Sequence, residues 1–121
     1  MTSIVVGVDD DRRVLESIES LMASAGHVTV VFSSAEEFLQ SGTLPAVACV
    51  IADVRMPGMD GLELQRRIRL ERPSLPVIFI SAHCDEDVRK RALEDGGVEF
   101  MYKPFDPARL LATVSRALKA E

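Results

Sequence analysis

Val47-Ala-Cys-Val-Ile-Ala-Asp53-Val-Arg-Met-Pro57-Gly-Met-Asp-Gly61 is the stretch on which the reading of this chain turns. A near-continuous apolar run ends in one carboxylate, followed by a turn rich in proline and glycine. An uninterrupted run of this kind reads as a strand buried on both faces, as in parallel sheets covered by helices. Asp53 then sits where the strand surfaces, and open α/β sheets bind ligands at those carboxyl ends. Taken by itself the stretch leaves a lesser alternative, Asp53 as only a turn former or helix cap. The rest of the chain decides.

Outward from this strand, short apolar runs alternate with amphipathic ones. Ile4 to Val8 is a first strand, ending in Asp9-Asp10-Asp11. Val14, Leu15, Ile18, Leu21, Met22 and Ala25 then recur at helical spacing, with Gly26 as the stop. Val28 to Phe32 is the second strand. Ser34 and Glu37 form a capping-box pattern that opens a short helix burying Ala35, Phe38 and Leu39. Gly42 to Pro45 is a loop into the third strand. Asp60-Gly61 opens a third helix with Leu64 and Ile68 inward and Arg66, Arg67 and Arg69 as a solvated face; Pro73 ends it. Pro76 to Ile80 is the fourth strand, leading into Ser81-Ala82-His83. The polar helix from Asp85 to Asp95 has few apolar anchors (Val88, Ala92, Leu93), so it is expected to be the most weakly held element. Val98 to Tyr102 is the fifth strand, running into Lys103-Pro104. Asp106-Pro107 starts a last helix with Leu110, Leu111, Val114 and Leu118 inward.

Five strands alternating with five helices imply an α/β fold with right-handed crossovers and helices on both faces of a parallel sheet. The flavodoxin-like (βα)5 order 2-1-3-4-5 is the leading arrangement, with a switch point between strands 1 and 3. The 121 residues fit one domain, residues 1–121, with 47% hydrophobic and 27% charged residues. A net charge of -5 argues against direct binding of nucleic acid or of an anionic membrane. The N-terminus lacks the pattern of a signal peptide and no run approaches a membrane span. Cys49 falls inside a buried strand and Cys84 in a loop beyond another, so no disulfide between them is expected, which suits a reducing cytoplasm. Core packing explains Cys49; Cys84 beside His83 is a weak redox or metal candidate without further ligands.

The residues at the strand ends carry the chemistry. Strand 1 contributes Asp9 and Asp10, strand 3 Asp53, strand 4 Ser81 and strand 5 Lys103, whereas edge strand 2 contributes only Ser33 and Ser34. Polar groups therefore gather around one crevice. Two unit charges ~5 Å apart repel by about 3 kcal/mol at an effective dielectric of ~20, so three carboxylates call for a cation or protonation. Hard oxygen ligands suit Mg2+ or Mn2+. A carboxylate nucleophile, a metal, a hydroxyl and an ammonium together describe phosphoryl transfer to an aspartate. The bland reading is a set of acidic caps with Lys103 as a solvated counter-charge. Five convergent positions weigh against it.

Four stretches in order, Val8-Asp9-Asp10-Asp11, Ile51 to Gly61, Ile80-Ser-Ala-His83 and Phe100-Met-Tyr-Lys103-Pro104-Phe105, give the chain a full-length resemblance to bacterial response-regulator receiver domains of the FixJ type. The resemblance implies Asp53 as acceptor of a phosphoryl group from a sensor histidine kinase. It further implies Asp10 as a direct metal ligand, Asp9 acting through a metal-bound water, and the Arg55 backbone carbonyl completing the set. Ser81 and Lys103 would contact the phosphoryl oxygens. Phe100, three before the lysine, would rotate inward as Ser81 moves; Tyr102 would be a strand residue on the signalling face. The Lys103-Pro104 bond would be cis. The readout would be the face of the fourth helix, fifth strand and fifth helix, with a phosphorylation-dependent homodimer and a DNA-binding output domain in a longer chain as implied partners. Glu94-Asp95-Gly96-Gly97 departs from the family pattern, and Asp95 places a charge where the helix dipole disfavours it.

Two rival chemistries on this fold fare worse. A flavin-type cofactor binder needs a phosphate-cradling loop after strand 1, where this chain has three aspartates. An aspartate-nucleophile phosphatase needs a second acid two residues beyond its nucleophile, and Arg55 stands there.

Overall fold

The computed structural model describes residues 4–83 and 85–119. Cys84 lies outside them. The elements run β1 (Ile4–Val8), α1 (Arg12–Ser24), β2 (Val28–Phe32), α2 (Ala35–Gln40), β3 (Val47–Asp53), α3 (Gly61–Glu71), β4 (Val77–Ser81), α4 (Glu86–Glu94), β5 (Glu99–Tyr102) and α5 (Pro107–Lys119), with a 3-10 turn at Leu44–Ala46. The sheet is parallel in the order β2-β1-β3-β4-β5, so the expected topology is the observed one.

Side-chain alternation along each strand divides the core into two layers. Val50, Ala52, Phe79 and Phe100 face α2, α3 and α4, where Phe38, Leu64, Ile68 and Ala92 meet them. Cys49, Ile51, Ile78, Ile80 and Met101 face α1 and α5, against Ile18, Met22, Leu110 and Val114. Cys49 is thus a core residue, fully buried. Central β3 is buried nearly throughout, while edge strand β2 leaves Val28 45% exposed.

Several expectations need correction. Ala25 caps α1 at the surface instead of joining its apolar stripe, because Gly26 already turns the chain with φ +82°. The loop before β3 contains the 3-10 turn, whose carbonyls Arg72 binds: its Nη1 donates to Leu44 O at 2.8 Å and to Val47 O at 3.0 Å. In α5, Leu111 and Leu118 are only half-buried, whereas Thr113 and Ala117 are buried. Thr113 is tolerated inside because its hydroxyl donates to Arg109 O at 2.8 Å. Finally, Arg69 is not merely solvated. Its Nη1 donates to Asp95 O at 2.6 Å, placing a cation on the last turn of α4, where the dipole welcomes it. Strand limits differ by a residue: β4 runs from Val77 through Ser81 and β5 starts at Glu99.

Candidate phosphoacceptor site

At the carboxyl ends of β1, β3, β4 and β5, the sheet register brings the predicted residues together. Asp9, Asp10 and Asp53 each offer a carboxylate oxygen, and these oxygens lie within 4.8 Å of one another. Asp9 is fully buried and Asp53 5% exposed, while Asp10 faces solvent. Lys103 reaches in from the end of β5, its Nζ 2.8 Å from Asp9 Oδ2 and 3.3 Å from Asp53 Oδ2. Two local features hold this arrangement. Asp9 Oδ1 accepts from Asp11 N at 2.8 Å. Lys103 N donates to Ser81 O at 2.8 Å, and the Lys103-Pro104 bond is cis, as expected.

The electrostatics are those of a crowded anionic cleft. Burial first, and then repulsion from Asp9, push the Asp53 carboxyl above its ordinary range, and Lys103 only partly offsets them. Burial alone would lower Lys103, but Asp9 and Asp53 together outweigh it and hold the ammonium above its usual range. Three carboxylates against one ammonium leave the cleft negative. Among the described residues, Asp9 Oδ2 has only that ammonium, and no other donor reaches it. An all-oxygen, excess-anionic donor set of this kind fits a hard divalent cation such as Mg2+.

Other predicted residues stand differently. Ser81, 2% exposed, keeps its hydroxyl within its own turn: Oγ accepts from His83 N at 3.1 Å and donates to His83 O at 3.2 Å. Phe100 is 4% exposed, its ring centroid 6.3 Å from Phe79 and 5.5 Å, edge-on, from Tyr102. This conformation thus combines a buried Phe100 ring with a Ser81 hydroxyl bonded within its own turn. The Arg55 side chain is exposed and its Nη2 lies 3.5 Å from Asp85 Oδ2. Asp85 Oδ1 meanwhile caps α4, accepting from Asp87 N and Val88 N.

The connection from β3 to α3 is tightly tied. Gly61 N donates to Val54 O at 2.8 Å, and a side chain at Gly61 would collide with the Asp53 carbonyl. Asp60 caps α3 by accepting from Glu63 N at 2.9 Å. Met59 N donates to Glu36 Oε2 at 2.9 Å, a contact with no signature in the sequence because the acid lies on α2. Beside the cleft a groove of about 870 Å3 runs between α1 and the β5–α5 connection, lined by Val14, Leu21, Pro104 and Phe105 among others.

A family model described as "Response regulator receiver domain" matches residues 5–115. The response regulator protein TodT of Pseudomonas putida is 42% identical over 117 residues, 97% of this chain and 52% of TodT. The transcriptional regulatory protein FixJ of Bradyrhizobium diazoefficiens is 35% identical over 112 residues, 93% of this chain and 55% of FixJ. The chain spans about half the length of these curated relatives. Among solved structures, a BeF3-activated DrrB receiver domain superposes with a TM-score of 0.90 at 30% identity, covering 98% of this chain and 99% of that one.

Proposed function

This chain belongs to the response-regulator receiver family, a phosphoacceptor module of two-component signalling and not an enzyme of the ordinary kind, and on that premise we propose that Asp53 is the acceptor. The observation that carries this reading is the meeting of the Asp53 carboxylate with Asp9, Asp10 and Lys103 in one buried cleft.

An Asp53 oxygen attacks the phosphorus of a sensor kinase's phosphohistidine, the P–N bond breaks, and an aspartyl phosphate forms. Its raised proton affinity makes the ionised carboxylate a better nucleophile. Lys103 stays charged through the reaction and shifts from Asp53 to a phosphoryl oxygen, keeping its hold on Asp9. Asp10, Asp53 and the Arg55 carbonyl would hold Mg2+ (or Mn2+) directly, with Asp9 behind a bound water. That cation supplies neutralisation of the charge that builds on the transferred group. Ser81 turns its hydroxyl from His83 to a phosphoryl oxygen, which releases the start of the loop before α4. Phe100, expected to rotate inward as Ser81 moves, is already inside in this conformation, so its part in the switch is to be held there.

The output would be the α4–β5–α5 face, as a homodimer surface or toward a DNA-binding domain in a longer, cytoplasmic regulator of which residues 1–121 form the receiver. The deciding experiment is labelling by acetyl phosphate or a kinase in Mg2+. Wild type should take up one equivalent and Asp53→Asn none; label on the variant at wild-type level would remove Asp53 from the role.

A further inference from the structure

Edge strand β2 delivers no side chain to the acidic cleft, yet the helix after it touches the cleft's rim. Ser34 caps α2, its hydroxyl accepting from Glu37 N at 3.1 Å. Glu37 folds back to Ser33, reaching its Oγ at 3.3 Å and its N at 3.5 Å. Glu36, in the same first turn, directs its carboxylate mainly away from its own helix. That carboxylate crosses to the β3–α3 connection and accepts from Met59 N at 2.9 Å. The bond is charge-assisted, and the Met59 N–H, with a lesser contribution from Glu36's own N–H, holds the Glu36 carboxyl below its ordinary range. Gly58 makes the approach available. It has φ +76°, which side chains avoid, and a Cβ there would meet Glu36 Oε2.

We propose that Glu36 is a positioning residue for the phosphoacceptor site, pinning the Pro57–Met59 turn so that the Arg55 carbonyl is presented to the acidic cluster. The inference rests on the proposed phosphoacceptor site, in which that carbonyl is a ligand. The connection has fixed anchors at its far end, Gly61 N on Val54 O and the Asp60 cap. Arg55 pairs with Asp85 and Met56 is buried in the core, and at the Pro57–Met59 turn itself the Glu36 carboxylate adds a hydrogen bond to the backbone from outside the connection. Groups that orient a metal ligand without touching the metal typically contribute 10–100-fold in affinity.

The test measures Mg2+ affinity by calorimetry and Met59 amide hydrogen exchange in the metal-free protein, for wild type, Glu36→Met, Glu36→Gln and Asp10→Asn. Glu36→Met, similar in length but without an acceptor, should lose Met59 protection and bind Mg2+ roughly tenfold more weakly, with its unfolding midpoint little changed. Glu36→Gln retains an acceptor oxygen and should recover most of both. Wild-type Mg2+ affinity in Glu36→Met, or a Glu36→Gln no better than Glu36→Met, overturns the positioning role. Wild-type affinity in Asp10→Asn would instead overturn the site reading and the proposal with it.

Discussion

Helices α3 and α4 lie on the same side of the sheet, and each comes after a strand that ends in a site residue. They are built very differently. Helix α3 buries Leu62, Leu64, Gln65 and Ile68, and its entry glycine packs on the backbone of Asp53 and Val54. Helix α4 buries only Ala92, with Val88 and Leu93 half-covered. What holds α4 is at its ends: the Asp85 cap at one, the Arg69 guanidinium on Asp95 O at the other. The cleft therefore has one wall fixed by packing and one held by a few polar contacts. If Asp53 is the acceptor, as proposed, a change of charge there is expected to move the wall that costs less to move.

The widest separation between the two helices should come from core truncation. Leu64→Ala is expected to cost about 3–4 kcal/mol in denaturant unfolding and half-buried Val88→Ala only about 1 kcal/mol; equal losses would erase the contrast. Next, beryllofluoride with Mg2+ should change the opening free energy of α4 amides by about 1–3 kcal/mol, read by hydrogen exchange, and leave α3 amides as they were. A response confined to α3 would reverse the assignment of the mobile wall. Smaller again is the cap. Asp85→Ala should lose about 1 kcal/mol, whereas Asp85→Asn, which still caps but cannot pair with Arg55, should lose almost nothing. A full loss in Asp85→Asn would make the Arg55 contact the important one.

The smallest effect is a pH dependence belonging to the cleft itself. The folded state raises the Asp53 value, so it favours the protonated acid. That stabilisation is present below the ordinary carboxylate range and is lost as pH rises through the folded value. In chelator, Asp53→Asn should be more stable than wild type at neutral pH, with the difference closing on acidification. Lys103, also raised, contributes stability below the ordinary ammonium range that is lost as pH rises through its folded value. A difference that widens on acidification would contradict the sign for Asp53.

The strands and the cleft were legible because both are written locally. Apolar runs mark β1, β3 and β4, and each ends in the residue that the sheet brings to the site. Three turn signals, Gly26, Ser34 and Asp60, also behave as read, each closing or capping the expected helix, whereas Asp85, read as the first residue of its helix, is instead the cap. The contacts of Glu36, Arg69 and Arg72 were not legible. Each side chain bonds a backbone group in a distant element, and a backbone group carries no residue type for a pattern to reveal. Gln65 is a similar case: polar by type, it is 1% exposed on a helix that also buries Leu62, Leu64 and Ile68.

The ion pair between Lys103 and Asp9 joins the end of the first strand to the end of the last. In order of synthesis Asp9, Asp10 and Asp53 emerge long before Lys103, the lysine that balances them. A nascent chain with Asp53 exposed but β5 still unmade has three clustered acids, no ammonium among them, and no finished sheet to align them. If Asp53 is the acceptor, as proposed, the complete charge balance around it exists only once β5 has joined the sheet, because Lys103 enters the cleft from the end of that strand.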